Sequence, residues 1–393
     1  MTHKNAGLNN SKSNNFSDKT ALHYMNKRLL SLDVFRGITV ALMILVNNPG
    51  DWGYIYAPLE HAEWNGCTPT DLVFPFFLFI VGVSISFAFQ GKVANRETIM
   101  KIFTRSIKLF GLGLFLSLFP RLDLSVVRIP GVLQRIALVF LVCSLIFLTT
   151  KNRTQQLIFA SVLIGYWILM TFVPVPDFGP ANLEPEFNLG AYFDRMILGT
   201  AHLYKAAKTW DPEGLLSTFP AIATGLSGVL TGTWLQRKDK EVAEKLTYMY
   251  LCGCVSMAMG WAWHEAGFPI NKALWTSSYV LWTSGLALCF LASFYWLIDV
   301  KGYQRWTKPF VVYGVNAITV FFLTGLIPRI LRMIKITNAQ GEEVNSQTWM
   351  YKNLIVSVFS NPYHASLVGA LTVITIWLGI LWVMYENKMI VKV

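Results

Sequence analysis

The chain has 393 residues, of which 54% are hydrophobic and only 14% charged, and its mean hydropathy is +0.45; a soluble globular chain carries charge on about a quarter of its residues. A bilayer core about 30 Å thick takes about 20 apolar residues per helix, so this length holds about ten spans with short loops and little else. The net charge of +11 would point to nucleic acid if it were gathered on a soluble face, but it is distributed among particular loops, which excludes that partner.

In chain order, residues 1–27 are polar and rich in Asn, Ser and Lys. They contain no apolar run followed by a small-residue cleavage site, so they read as a disordered cytoplasmic tail and not as a signal peptide. Residues 28–393 read as one transmembrane domain. Apolar runs bounded by polar residues or Pro/Gly punctuation predict spans near 33–48, 71–90, 106–119, 131–149, 156–173, 214–235, 246–264, 274–298, 309–331 and 366–385. The predicted fold class is therefore all-α, a polytopic membrane protein with about ten transmembrane helices.

Orientation follows from Lys and Arg. With the N-terminus inside, the inner segments hold 21 of the 33 basic residues, while the longer outer loops keep nine. Both termini are then cytoplasmic. Three longer outer connections result, at 49–70, 174–213 and 332–365, and the second is rich in Pro, Gly and acidic residues that suit a cover over a vestibule. Four of the five cysteines (Cys143, Cys252, Cys254 and Cys289) lie in apolar runs, which leaves no disulfide framework. No clustered His or Cys spacing supplies a metal site, and no internal repeat of the kind many transporters show is visible.

Polar residues inside a bilayer are costly and mark function, so they carry the chemistry. Asp33 and Arg36 lie three apart on one face at the inner end of the first span, either as an anchoring ion pair or as part of an anion site. The stretch from Asn47 to Asp71 is the densest in polar groups: His61 stands beside Glu60, Glu63, Trp64 and Asn65, and Asp71 opens the next helix. Histidine is the side chain best suited to take a proton near neutral pH, although a loop histidine is more often an ordinary surface residue. Arg135, within the fourth span, requires either a hydrated cavity or a carboxylate partner. Asp211 before Pro212 and Glu213 reads as a helix N-cap with an acidic first turn. Asn271, Lys272, Trp275, Thr276 and Asn316 read first as hydrogen-bonding groups between helices.

The segments RLLSLDVFRG, HAEWNG followed by TDLVFPFFLFIVG, RIPGVLQRIAL, LGTAHLY, DPEGLLSTFPAI, NKALWTSSYVL and PFVVYGVNAI run in this order through residues 28–322. Together they resemble the transmembrane acetyltransferases related to lysosomal heparan-alpha-glucosaminide N-acetyltransferase, in particular the shorter bacterial members. The resemblance implies that acetyl-CoA is the cosubstrate, bound from the cytoplasm, and that its acetyl group reaches the amine of glucosamine or of a terminal glucosamine on the far side; the Lys and Arg count puts the catalytic loop on the periplasmic side of an inner (plasma) membrane. The resemblance implies His61 as the essential histidine, acting as general base or acetyl carrier. Asp71, Glu60 or Glu63 would orient the imidazole, and Asn47 or Asn65 would donate to the developing oxyanion. Topology puts Arg36, Arg105, Lys108 and Arg237 on the CoA side. Glu60, Trp64, Asn65, Arg135, Asp211, Glu213 and Asn271 are the residues expected near the acceptor, and no metal is expected. An amino-sugar transporter without acetyl transfer is the alternative class. Membrane lipid is an expected partner, and oligomeric state stays open, with a homodimer as the alternative to a monomer.

Overall fold

Each of the ten predicted apolar runs folds as a helix or a broken pair of helices. The computed structural model describes residues 29–337 and 341–391, so the tail expected at 1–27 lies outside the described residues. The order is α1 (Leu30–Asn47), α2 (Val73–Phe89, entered through a 3-10 turn at Pro69–Leu72), α3 (Arg96–Leu118), α4 (Val132–Thr149) and α5 (Asn152–Phe172). There follow a short α6 (Leu189–Leu198), α7 (Thr218–Leu235), α8 (Val242–Glu265) and α9 (Ser277–Phe294, continued by a π turn to Val300). The chain ends with α10 (Lys308–Val315), α11 (Ala317–Met333), α12 (Ser346–Tyr351) and α13 (Pro362–Glu386).

Among the described residues, six stretches are long and apolar enough to cross a membrane: α1, Pro69–Phe89, α4, α5, Ser277–Val300 and α13. A seventh results if α10 and α11, bent by 76° at their junction, count as one. Helices α3, α7 and α8 occupy predicted spans but carry more charge or more small polar residues, so length and composition alone support six to seven crossings. Asn316 sits at the bend, where its side chain accepts from Val391 N (3.1 Å) and donates to Met389 O (3.1 Å). It ties two helix ends to the C-terminal segment instead of bridging helix flanks.

Small residues bring the helices together, as expected where lipid offers no hydrophobic force between them. A Cβ on Gly82 of α2 would stand 1.9 Å from Gly225 O of α7, and one on Gly228 would stand 2.0 Å from Phe79 O. Between α8 and α9, a Cβ on Gly285 would meet Gly253 O at 2.6 Å. The central apolar cluster, including Ile44, Leu78, Val139, Leu226, Trp275 and Tyr313, fills the space between these contacts.

Two sequence expectations are corrected. Asp211 does not cap a helix that starts at Pro212: α7 begins at Thr218, and Asp211 closes a turn by accepting from Glu213 N at 2.9 Å. The reason is a competing partner, Arg128, which holds both carboxylates. The all-α class is also interrupted, between α11 and α12, by a short antiparallel hairpin in which Lys335–Thr337 pairs with Glu343–Asn345.

Candidate active site

The loop from α1 to α2 is held by its own backbone bonds. Thr68 and Asp71 form a reciprocal capping box at the 3-10 entry to α2, the pattern that satisfies free N–H groups at a helix start. Asp71 Oδ2 accepts from Thr68 N (3.0 Å) and Ala62 N (3.1 Å), and the Thr68 hydroxyl donates to Glu60 O (2.6 Å). These contacts fold the loop back so that His61 meets the other oxygen: His61 Nδ1 is 2.7 Å from Asp71 Oδ1. The Asp71 side chain is 1% exposed and that of His61 50%. A neutral His61 that donates from Nδ1 to the carboxylate presents Nε2 unprotonated, the arrangement that makes imidazole a base or a nucleophile.

A third group completes the cluster. Lys272 Nζ lies 2.9 Å from His61 Nδ1, 3.3 Å from His61 Nε2 and 3.3 Å from Asp71 Oδ1. Its loop, between α8 and α9, is stitched to the His61 loop by Gly66 N donating to Ile270 O (2.7 Å) and Asn271 Nδ2 donating to Asn65 Oδ1 (3.1 Å). Asn271 Oδ1 also accepts from Leu274 N at 2.8 Å, closing the turn that aims Lys272. Trp275 follows with φ of 53°, left-handed for a side chain that is 1% exposed. Such a conformation costs on the order of 1–3 kcal/mol and persists only where its surroundings hold it; here the buried indole donates to Thr224 Oγ1 (3.0 Å) and packs edge-on against Phe74. Burial pushes the Lys272 ammonium below its ordinary pKa, against the pull of the Asp71 and Glu213 carboxylates. Burial likewise pushes the neighbouring Cys67 thiol up to about 12, so it stays protonated.

Behind this cluster lies a charged layer. Arg128 donates from Nε to Asp211 Oδ2 (2.9 Å), from Nη2 to Asp211 Oδ1 (2.6 Å), and to Glu213. Asp211 and Glu213 are thus already paired. Asp194 of α6, 2% exposed, accepts from Leu215 N at 2.8 Å; burial first, and then the nearby Asp211 carboxylate, push it up to about 7. Arg135, 1% exposed, pairs with no carboxylate among the described residues: it donates to Gly214 O and Ser217 Oγ and lies over the Trp275 ring at 5.1 Å. Among the described residues its Nε and Nη1 have no hydrogen-bond partner.

The other expected residues divide. Asn65 and Asn271 meet each other next to His61, and Trp64 packs on Trp210 at 5.0 Å while its Nε1 donates to Leu183 O. Glu60 and Glu63 are exposed, and their carboxylates do not touch the ring, so Asp71 alone of the three carboxylates orients it. Asn47 ends α1 exposed and makes no hydrogen bond to the cluster among the described residues. His202 is occupied at Nδ1 by Val127 O (2.7 Å), His264 Nδ1 accepts from Ile270 N, and His364 lies near Tyr56.

Toward the far end of α1, Arg36 donates to Asp33 and to Ser84 Oγ, both at 2.8 Å, and its charge reaches Arg105, which lies over the Phe140 ring. Lys108 is exposed one turn further along α3. Arg237 stands apart from these three: paired with Asp239, it lines a cavity of about 500 Å³ between α5, α7, α8 and α9 that includes none of them.

A family profile described as heparan-alpha-glucosaminide N-acetyltransferase, catalytic, matches residues 28–260. The chain belongs to this family. It is 31% identical over 423 aligned positions to heparan-alpha-glucosaminide N-acetyltransferase of Homo sapiens and 30% identical to that of Mus musculus, matches that take in 93% of this chain. The chain spans about 60% of the length of these curated relatives. His61 and Asp71 fall inside the matched catalytic segment, and Lys272 falls beyond it. Sequence reasoning left Lys272 as an inter-helix polar group; the available signal was that it is one of only nine basic residues assigned to the outer loops.

Proposed function

We propose that this chain is a transmembrane N-acetyltransferase that takes acetyl from acetyl-CoA on the cytoplasmic side and places it on the amine of glucosamine, or of a terminal glucosamine, on the other. Membership of the family supports the reaction class. The observation that carries the residue assignment is the His61–Asp71 contact, with Asp71 immobilised by two backbone N–H groups and His61 Nε2 turned away from the carboxylate, 3.3 Å from Lys272 Nζ.

Acetyl-CoA supplies an activated acyl group, so the protein has to position it, exclude water and remove a proton from the acceptor ammonium. His61 Nε2 takes that proton, a step typically contributing about 10² to 10⁴ in rate. Asp71 holds the ring and stabilises the imidazolium that results. Asn65 and Asn271, hydrogen-bonded to each other at 3.1 Å, tie the loop that carries His61 to the loop that carries Lys272. The exposed Glu60 and the rim residue Trp64 suit an aminosugar, the first by charge and the second by its ring. Asp211 and Glu213 hold Arg128 and are not free for the substrate. Arg36, Arg105 and Lys108 are the basic groups offered to the CoA phosphates. Arg36 is eleven residues, about 16 Å of helix, from Asn47, so the acyl group has to travel along α1 to reach His61.

The orientation that makes this a transmembrane reaction is part of the proposal: ten crossings, both termini cytoplasmic, the His61 loop on the periplasmic side of an inner membrane. Full-length protein in detergent, given labelled acetyl-CoA and glucosamine, is expected to form N-acetylglucosamine, and His61→Ala to lose that activity while still folding. Binding of the sugar with no product formed would instead favour an amino-sugar transporter.

A further inference from the structure

We propose that Lys272 is a self-acetylation site: its ε-amine competes with the acceptor amine, and when acetyl-CoA is supplied without acceptor the acetyl group goes to Lys272 and the enzyme stops. The inference rests on the acetyltransferase reading above and assigns to it an internal acceptor.

The geometry is that of an acceptor already in place. An incoming amine has to stand against His61, and Lys272 Nζ does so, at 2.9 and 3.3 Å from the two ring nitrogens. The 3.3 Å to Nε2, the nitrogen left unprotonated when Nδ1 donates to Asp71, puts the amine beside the base that would take its proton. Among the described residues no other lysine contacts His61 or Asp71. The side chain is also restrained, since Asn271 closes its turn and the left-handed Trp275 is pinned beneath it. Burial raises the share of neutral amine, although the Asp71 and Glu213 carboxylates oppose this.

The step balances without any further reactant. Neutral Nζ attacks the carbonyl carbon of acetyl-CoA; the new N–C bond forms as the thioester C–S bond breaks; the proton lost from nitrogen passes to His61 and then to the departing thiolate. The products are an acetamide on Lys272 and CoA thiol. An amide is not an activated donor, so the acetyl group does not move on. The cluster has then lost the cation that faced the 1% exposed Asp71, and a neutral, bulkier group fills the position of the acceptor amine.

The full chain, purified in detergent, is incubated with acetyl-CoA alone, sampled over time, digested and analysed by mass spectrometry while aliquots are assayed with glucosamine. The expected result is one acetyl group on Lys272, rising as activity is lost, with both changes slowed by excess glucosamine. His61→Ala is expected to leave Lys272 unmodified. In Lys272→Arg the time-dependent loss is expected to vanish, whatever its starting rate. Lys272 that stays unmodified in enzyme that turns over glucosamine overturns the inference and leaves the proposed function standing. Acetylation no greater than at Lys205, or equal in His61→Ala, overturns it as background chemistry. Acetyl-Lys272 formed by wild-type protein that makes no amino-sugar product would keep the inference and reject the acceptor assignment.

Discussion

Asp71 uses its two oxygens for different tasks, and this separation makes its role testable. Oδ2 is held by backbone N–H groups of Thr68 and Ala62, while Oδ1 faces His61 and Lys272. In Asp71→Asn the side-chain oxygen can keep the backbone contacts, but the amide N–H then faces His61 Nδ1 and favours the opposite tautomer, with the proton on Nε2. The expected outcome is a fall in kcat of about 10²–10⁴ with a chromatographic profile like that of the parent. Undiminished turnover would remove Asp71 from the orienting role. Asp194 gives a second prediction, on stability. Its folded pKa of about 7 lies above the ordinary 3.8, so between these values the folded state binds more protons than the unfolded state. Its contribution is therefore most favourable below about pH 4 and is lost as pH rises through 7. Asp194→Asn keeps an acceptor for Leu215 N and cannot ionise; it is expected to gain on the order of a few kcal/mol relative to wild type near pH 8 and little near pH 4. Thermal melts at both values check this, and equal effects at the two would contradict it.

At the scale of elements, hydrophobic runs made most of the bundle legible. Every predicted span contains a helix because a run of about 20 apolar residues in lipid has few other ways to satisfy its backbone. What pattern could not show was long-range pairing. Asp211 was misplaced as a cap because its sequence neighbours fit that grammar, whereas its partner Arg128 is 83 residues away. Lys272 was missed for the same reason: it is 211 residues from His61, and only the folded loops bring them together. His61 and Asp71, ten residues apart, fall in one polar stretch of the sequence, but the role of His61 comes from the resemblance, and Asp71 is one of three carboxylates there until the fold pairs it with the ring. The bundle itself depends on glycine at the crossing of α2 and α7, where α2 begins with the Asp71 turn and α7 follows the Arg128-paired segment. Gly228→Val has to push against the α2 backbone at Phe79 and is expected to destabilise by about 1–3 kcal/mol or more, with loss of activity. Gly165→Ala on α5 meets no atom within 4 Å and is expected to be neutral or slightly stabilising. Comparable melting temperatures for the two variants would show that the close crossing is not what holds the site.

For the whole molecule, the distribution of charge has to decide what hydropathy leaves open. Helices α3, α7 and α8 are too polar for the length-and-composition test that the other spans pass, yet α3 packs on α4, and α7 is held between α2 and α4. A helix shielded by neighbours needs less apolar surface than one that faces lipid, and α7 shows this in its row of buried small residues: Ala221, Ala223, Gly225, Ser227 and Gly228. If all ten helices cross, the ends of each must react from opposite faces of the membrane. In a variant with its five cysteines replaced, single cysteines at the exposed positions Trp52, Leu122 and Glu265 are expected to react with an impermeant maleimide from the His61 side. Cysteines at Arg96, Lys238 and Val242 should react only from the other side. Arg96 and Leu122 bracket α3, Lys238 follows α7, and Val242 and Glu265 mark the ends of α8. Labelling of both ends of α3 or of α8 from one face would reduce the crossings below ten, and labelling of both ends of α3 from the His61 side would also place Arg105 on the wrong face for the proposed cytoplasmic CoA. Opposite labelling, with Lys238 on the face shared by Arg96, would put the basic residues and the His61 cluster on opposite sides, which the transfer requires.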